Sequence, residues 1–287
     1  MSAGGNTDLV MIALGATGTI LAVGLVMVIA ARRVGHRQRG GTRTDVRVGR
    51  FVVRTGSARH HADTSDRFAA IAFTDPSDAA FIAALGVAAV MADAAGARSG
   101  HSLALTAAYA FLESLKRSVS IGAPITEVLR AALMRANEQV ARVLGGASPS
   151  IPAVGAIVVT SSGLYWISMG DVRIYLVRAR VVVQVNRDQL DAALRDSVAA
   201  SREGWEVDAA PAALPLQSGD YVVVCNAGLH SRLTEDAIVH AVAAHGANCS
   251  RALVDSVAPL DRDGTANLSA FHVAIHQARL TRAEIAT

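Results

Sequence analysis

The chain has 287 residues, 52% of them hydrophobic and 18% charged, a balance that suits one medium-sized folded domain with an appendage. Its net charge of +3 is concentrated in residues 32–50, where Arg32, Arg33, Arg37, Arg39, Arg43, Arg47 and Arg50 stand against Asp45 alone. The remainder is net negative, so the basic balance does not imply a nucleic-acid-binding domain; two cysteines, Cys225 and Cys249, in apolar or helical contexts without CxxC spacing read most economically as a reducing compartment with no disulfide framework.

After a tail over residues 1–8, the stretch LVMIALGATGTILAVGLVMVIAA (9–31) carries no charge. At ~1.5 Å rise per residue it reaches across a ~30 Å hydrocarbon core. A signal peptide would begin with a basic segment and have a shorter apolar run; a mitochondrial presequence would be Arg-rich and amphipathic. Residues 9–31 are therefore expected to form a single transmembrane helix. The arginines after it place the rest of the chain on the cytoplasmic or mitochondrial matrix side. Gly15, Gly18, Thr19 and Ala22 share one helical face, as suits either close helix approach or plain lipid contact. Residues 32–46, rich in Arg, Gly and Thr, are expected to be a basic linker. A folded domain is expected over 47–279 and a tail over 280–287.

Within that domain Val46, Val48, Phe51 and Val53 mark a first strand, RFAAIAF (67–73) a second and FIAALGVAAV (81–90) a central one. Leu103, Thr106, Ala107, Ala110, Phe111 and Leu115 line one face of a helix over 99–117. A second helix runs over 125–146, opened near Pro124 and closed by Gly145 and Gly146. Strands return at 153–160, 164–170, 173–179 and 181–185, with hairpin turns at Gly163 and Arg180. Residues 188–203 look helical. YVVVCNAGLH (221–230) is a buried strand running into a loop, 233–246 and 250–260 are helices, and 267–277 is the last strand. Helical hairpins between sets of antiparallel strands predict an α+β sandwich of two packed sheets with helices outside.

The segment GLYWISMGDVRIYLVRARVVVQVNRDQL (163–190) resembles the central meander of the metal-dependent serine/threonine phosphatases of type 2C. That meander reads Gly-Asp-Ser-Arg, Tyr-Leu, Arg, then Thr-Arg-Asp-His. Gly170, Asp171, Val172 and Arg173 stand in the first of these blocks, Tyr175, Leu176 and Arg178 in the next, and Asn186, Arg187, Asp188 and Gln189 in the last. VAAVMADAAGARSGH (87–101), LQSGDYVVVCNAGL (216–229) and ALVDSVAPLDRDGTANLSAFHVAI (252–275) are similar to further blocks in the same order. The resemblance covers about residues 47–277 and implies a type-2C phosphatase-like sandwich of two antiparallel β-sheets flanked by helices, here preceded by one transmembrane helix.

Such phosphatases hold two divalent cations, usually manganese or magnesium. The cations activate a bridging water and neutralise phosphoryl oxygens. Hard cations need several oxygen ligands, chiefly carboxylates. The resemblance assigns Asp93 to the carboxylate that bridges both metals, with Ala94 in place of its Gly partner. Ala227 and Ala266 stand where two ligand aspartates belong, and Asn267 is retained beside the second. RHHADTSDRF (59–68) blurs an early Arg-x-x-Asn-Glu-Asp block: one register pairs Arg59 with Thr64, the other His61 with Asp66. The second is preferred, because Asp-Arg-Phe before an apolar strand is a common form of that block. At ~4 kcal/mol per close charge pair under an effective dielectric of ~20, two missing carboxylates cost several kcal/mol of metal affinity.

The expected function is therefore a catalytically inactive, membrane-anchored phosphatase-like protein, an accessory subunit or interaction scaffold of a membrane complex. Its expected partners are the membrane and proteins within it, not nucleic acid. No cofactor is expected, or manganese or magnesium held weakly, with Asp93 and Asp66 as residual ligands. The alternative is an active membrane-bound phosphatase with an altered metal site, rebuilt from candidates such as His60, His61, Asp63, His101, His230, Asp261 or Asp263. Gly170, Asp171 and Arg173 are expected to be structural, tying a hairpin by hydrogen bonds.

Overall fold

Among the described residues the strands are short, several of them β-branched runs such as VVVQ (181–184) and YVVVCN (221–226), and the ladders they form are all antiparallel. The structure, a computed structural model, describes residues 45–59, 67–69, 83–93, 100–118, 123–143, 152–187, 207–261 and 268–278. All of them fall within the unit Arg43–Thr287. The predicted span at 9–31, the tail before it, the linker up to residue 44 and the helix at 188–203 lie outside the described residues. Among the described residues, no helix is long and apolar enough to cross a membrane.

The first sheet has six strands: β1 (Asp45–Val48), β2 (Phe51–Arg59), β11 (Ser269–Gln277), β10 (Tyr221–Asn226), β7 (Val172–Arg178) and β8 (Val181–Gln184), in that spatial order. The second has five: β3 (Arg67–Ala69), β4 (Val87–Asp93), β5 (Ala153–Val159), β6 (Leu164–Met169) and β9 (Asp208–Ala209). The period-2 alternation of a strand sorts each sequence between two faces. Val87, Ala89 and Met91 of β4 point into the inter-sheet core with Ile157, Val172, Ile174, Val222, Val224, Phe271 and Val273. Ala88, Val90 and Ala92, one residue out of phase, pack instead beneath α1 (Gly100–Ser118) and α2 (Ile125–Val143). Tyr175, Val177, Val223 and Cys225 of the first sheet likewise pack beneath α4 (Glu235–His245) and α5 (Cys249–Val257). The result is four layers, helix–sheet–sheet–helix. Central strands buried on both faces read as continuous apolar runs for this reason.

The predicted α+β sandwich is thus found, with local corrections. The valines at 46 and 48 and the Phe51–Val53 pair belong to two strands, not one, because Gly49 turns left-handed at φ +54° and folds β2 back onto β1. β1 also begins two residues inside the stretch assigned to the linker. The apolar run 81–90 is not a strand throughout: residues 83 and 84 are helical, Gly86 takes φ +104°, and the strand extends from Val87 to Asp93. The helix predicted to reach residue 260 ends at Val257, and a 3₁₀ turn carries Pro259. At the β7–β8 turn Ala179 and Arg180 both adopt positive φ, 48° and 67°, the type I′ geometry usually filled by Asn-Gly.

Candidate functional site

β4 of the second sheet and β10 of the first both end on a polar residue, Asp93 and Asn226. Asp93 is in phase with Val87, Ala89 and Met91, and Asn226 with Val222 and Val224, so parity sends both side chains between the sheets. There they meet: Asn226 Nδ2 donates to Asp93 Oδ2 at 3.2 Å. Asn226 Oδ1 accepts from the Ser269 backbone N–H of β11 at 3.0 Å. Asn226 is fully buried, and its one amide links strands of both sheets.

The sheets approach closely here. Gly155 of β5 faces Val172 and Val224, and a Cβ at Gly155 would run into Val172 Cγ1. Val172 is the ladder partner of Asn226, and Ala153, two residues before Gly155, is the partner of Asp93. A glycine therefore sits near the Asp93–Asn226 link, with no room for a Cβ between the layers.

Beyond Asn226 the chain turns into the short helix α3 (Ala227–His230). Ala227 opens it and contributes a methyl group; its carbonyl accepts from Ser231 N at 3.2 Å. Gly170 adopts φ +79° in the β6–β7 turn, and the next residue, Asp171, lies with Oδ1 3.0 Å from His230 Nε2. Asp171 thus reaches α3, a contact outside the hairpin it was expected to tie. Arg173 Nη1 donates to Tyr175 OH at 3.4 Å along β7. The other nitrogen of His230, Nδ1, is buried and has no hydrogen-bond partner among the described residues.

Cys225, one residue before Asn226, points to the opposite face of the sheet. Burial pushes its thiol up to about 12, with the Arg173 charge opposing, so it is a neutral thiol at physiological pH. Cys249 on α5 is likewise pushed up to about 12 by burial. Arg178 belongs to the scaffold: its guanidinium forks onto Asp220 at 2.8 and 2.6 Å and reaches the Pro215 carbonyl at 2.8 Å. Its pKa is raised by the hydrogen bond to Asp220. Asn186 is buried too; it accepts from Ile174 N and donates to Ser168 Oγ and the Val172 carbonyl, pinning the start of β7.

The structure brings Asp93 and Ala227 to the same end of the sandwich. Asp66, Ala94, Ala266 and Asn267, with His60, His61, Asp63 and Asp263, lie outside the described residues. Asn226 and His230 are the polar groups that sequence reasoning undervalues. The residues around Asn226 read as a turn, although its parity with Val222 and Val224 points it inward. A pair of hard cations requires several converging oxygens. Among the described residues, Ala227 offers no side-chain ligand at this end, and Asp93 Oδ2 accepts from the Asn226 amide. Among the described residues no group of three or more His, Cys, Asp or Glu side chains converges.

No family model matches the chain, and no curated protein matches it in sequence. Solved structures resemble it in backbone. The serine/threonine phosphatase PstP/Ppp of Mycobacterium tuberculosis superposes with a TM-score of 0.58 at 16% identity, over 78% of this chain and 99% of that one. PppA of Pseudomonas aeruginosa gives 0.57 at 19% identity, over 79% and 99%. A PstP catalytic domain solved with two manganese ions gives 0.56 at 18% identity, over 79% and 100%. Likeness at such identities concerns the backbone. The fold of this chain is that of the metal-dependent serine/threonine phosphatases of type 2C.

Proposed function

We propose that the chain is a catalytically silent phosphatase-like protein, tethered to a membrane by residues 9–31 and acting as an accessory subunit or interaction scaffold of a membrane complex. One observation carries the reading: at the strand ends where the resemblance assigns metal-binding carboxylates, Ala227 supplies none and Asp93 accepts a hydrogen bond from Asn226. Two-cation phosphoryl chemistry depends on the charge of its ligands, because carboxylates hold the hard ions that generate the nucleophile. A PstP domain of the same fold was solved with two manganese ions. Here the strands that would carry the ligands persist because their apolar residues fill the core, whatever stands at their ends.

The test is a phosphopeptide hydrolysis assay on the purified full-length chain with manganese, beside an Asp93→Ala control. The expected result is no turnover above the control. Hydrolysis at an ordinary enzymatic rate, lost in Asp93→Ala, would overturn the reading in favour of an active phosphatase with an altered site. The membrane half is tested separately, by cell fractionation and protease protection. The chain is expected to sediment with membranes with its C-terminal domain on the cytoplasmic or matrix side.

A further inference from the structure

We propose that Asn226 is a positioning residue that bars divalent cations from Asp93 and clamps this end of the sandwich in their place. This inference rests on the reading of the site as silent and names the residue that makes it so.

The polarity of the clamp is set by its partners. The Ser269 N–H is a backbone donor and can only face an acceptor, so Asn226 Oδ1 must point to it at 3.0 Å. That assignment leaves Nδ2, a donor with no metal-binding lone pair, directed at Asp93 Oδ2 at 3.2 Å. Turning the amide over would set Nδ2 against the Ser269 N–H, donor against donor, at a position with no exposure to water. The side chain therefore cannot offer its oxygen to a cation by a simple flip. A cation binding through Oδ2, as a carboxylate that bridges two cations requires, would have to displace the Asn226 amide and loosen the link between the sheets.

The packing around the clamp points the same way. Gly155 lets Val172 and Val224 close against β5, and Val172 is the ladder partner of Asn226. With the layers drawn together, one neutral amide spans from Asp93 of the second sheet to β11 of the first. Restoring a carboxylate at Ala227 alone then adds charge without freeing Asp93, so it does not restore a site.

The experiment compares manganese titrations and thermal melts, with manganese and with EDTA, for the full-length chain, Ala227→Asp, and Asn226→Ser/Ala227→Asp. Serine at 226 removes the Nδ2 donor and so releases Asp93, while keeping a small polar side chain at that position. The double variant is expected to bind manganese about tenfold or more tightly than Ala227→Asp, the size of one charge-assisted hydrogen bond. The unaltered chain is expected to melt identically with manganese and EDTA. If Ala227→Asp binds as tightly as the double variant while the unaltered chain stays silent, Asn226 is not the bar and only this inference fails. Manganese binding by the unaltered chain that disappears in Asp93→Ala removes the silent-site reading as well. Should the double variant not fold, two single changes decide. Asn226→Ala is expected to lower the melting temperature, whereas Asp93→Asn, which keeps an acceptor for Nδ2, is expected to melt near the unaltered chain. An Asn226→Ala chain that melts like the unaltered one overturns the clamp.

Discussion

At the scale of single residues, this protein is governed by what its buried polar groups must find as partners. Asp220 has a side chain only 1% exposed and survives there because Arg178 forks onto it and Gln217 N–H donates to it at 2.7 Å. Removing one partner of a buried pair leaves an uncompensated charge, so Arg178→Ala is expected to cost about 3–5 kcal/mol in chemical denaturation. Adding Asp220→Asn should recover part of that. A loss below about 1 kcal/mol would show that the pair contributes little. Gly155 makes the complementary point about shape. Gly155→Ala drives a methyl into Val172 between the two sheets, and overpacking of that kind costs about 1–3 kcal/mol. Its melting temperature should fall, and an unchanged value would mean the sheets separate without penalty.

At the scale of elements, turns and helix docking are set by local chemistry that can be changed one position at a time. The β7–β8 turn holds exposed Ala179 and Arg180 at positive φ, which a Cβ disfavours. Arg180→Gly is expected to stabilise the hairpin by about 0.5–1 kcal/mol, measured by the urea midpoint; a lower midpoint would contradict the assigned turn geometry. Docking of α5 onto the first sheet depends on His272 of β11. Its Nδ1 lies 2.7 Å from Ser250 Oγ, and its ring occupies the space left by Gly56, where a Cβ would strike Cε1. Burial pushes His272 down to about 4 from its ordinary value near 6.5. Between those values the unfolded chain binds a proton that the folded chain refuses. Stability is therefore intact above about pH 6.5 and is lost as pH falls toward 4, by on the order of 3 kcal/mol. His276 is shifted down as well, chiefly by burial, which adds in the same direction. His272→Gln should flatten this part of the stability–pH curve, and an equally steep fall in that variant would assign the acid sensitivity elsewhere.

At the scale of the whole molecule, two sheets with helices on both outer faces make a scaffold whose stability comes from its apolar layers. That explains how such a fold can persist with a methyl group at Ala227. Burial selects Val222, Val223, Val224 and Cys225 irrespective of the residues at the end of their strand. Deleting residues 1–31 is expected to release the chain into the soluble fraction, while quantitative membrane retention of that deletion would place the attachment in the folded unit instead.

Much of this was legible in the residues alone. The expected span at 9–31 lies outside the described residues and stays a proposal. The order of β-branched runs and amphipathic segments carried the α+β sandwich, and the blocks around Gly170–Asp171 and Asn226–Ala227–Gly228 carried its resemblance to type-2C phosphatases. Those features are local, written in hydropathy period and turn residues over a few positions. The tertiary structure alone decided that Asp93 and Asn226 touch, that Gly155 admits Val172, that Arg178 belongs to Asp220 and that Asp171 reaches His230. Each of these pairings joins positions at least 17 residues apart in the sequence. Sequence pattern fixes which face a side chain takes, but only the stacking of one sheet on the other determines which side chain it meets there.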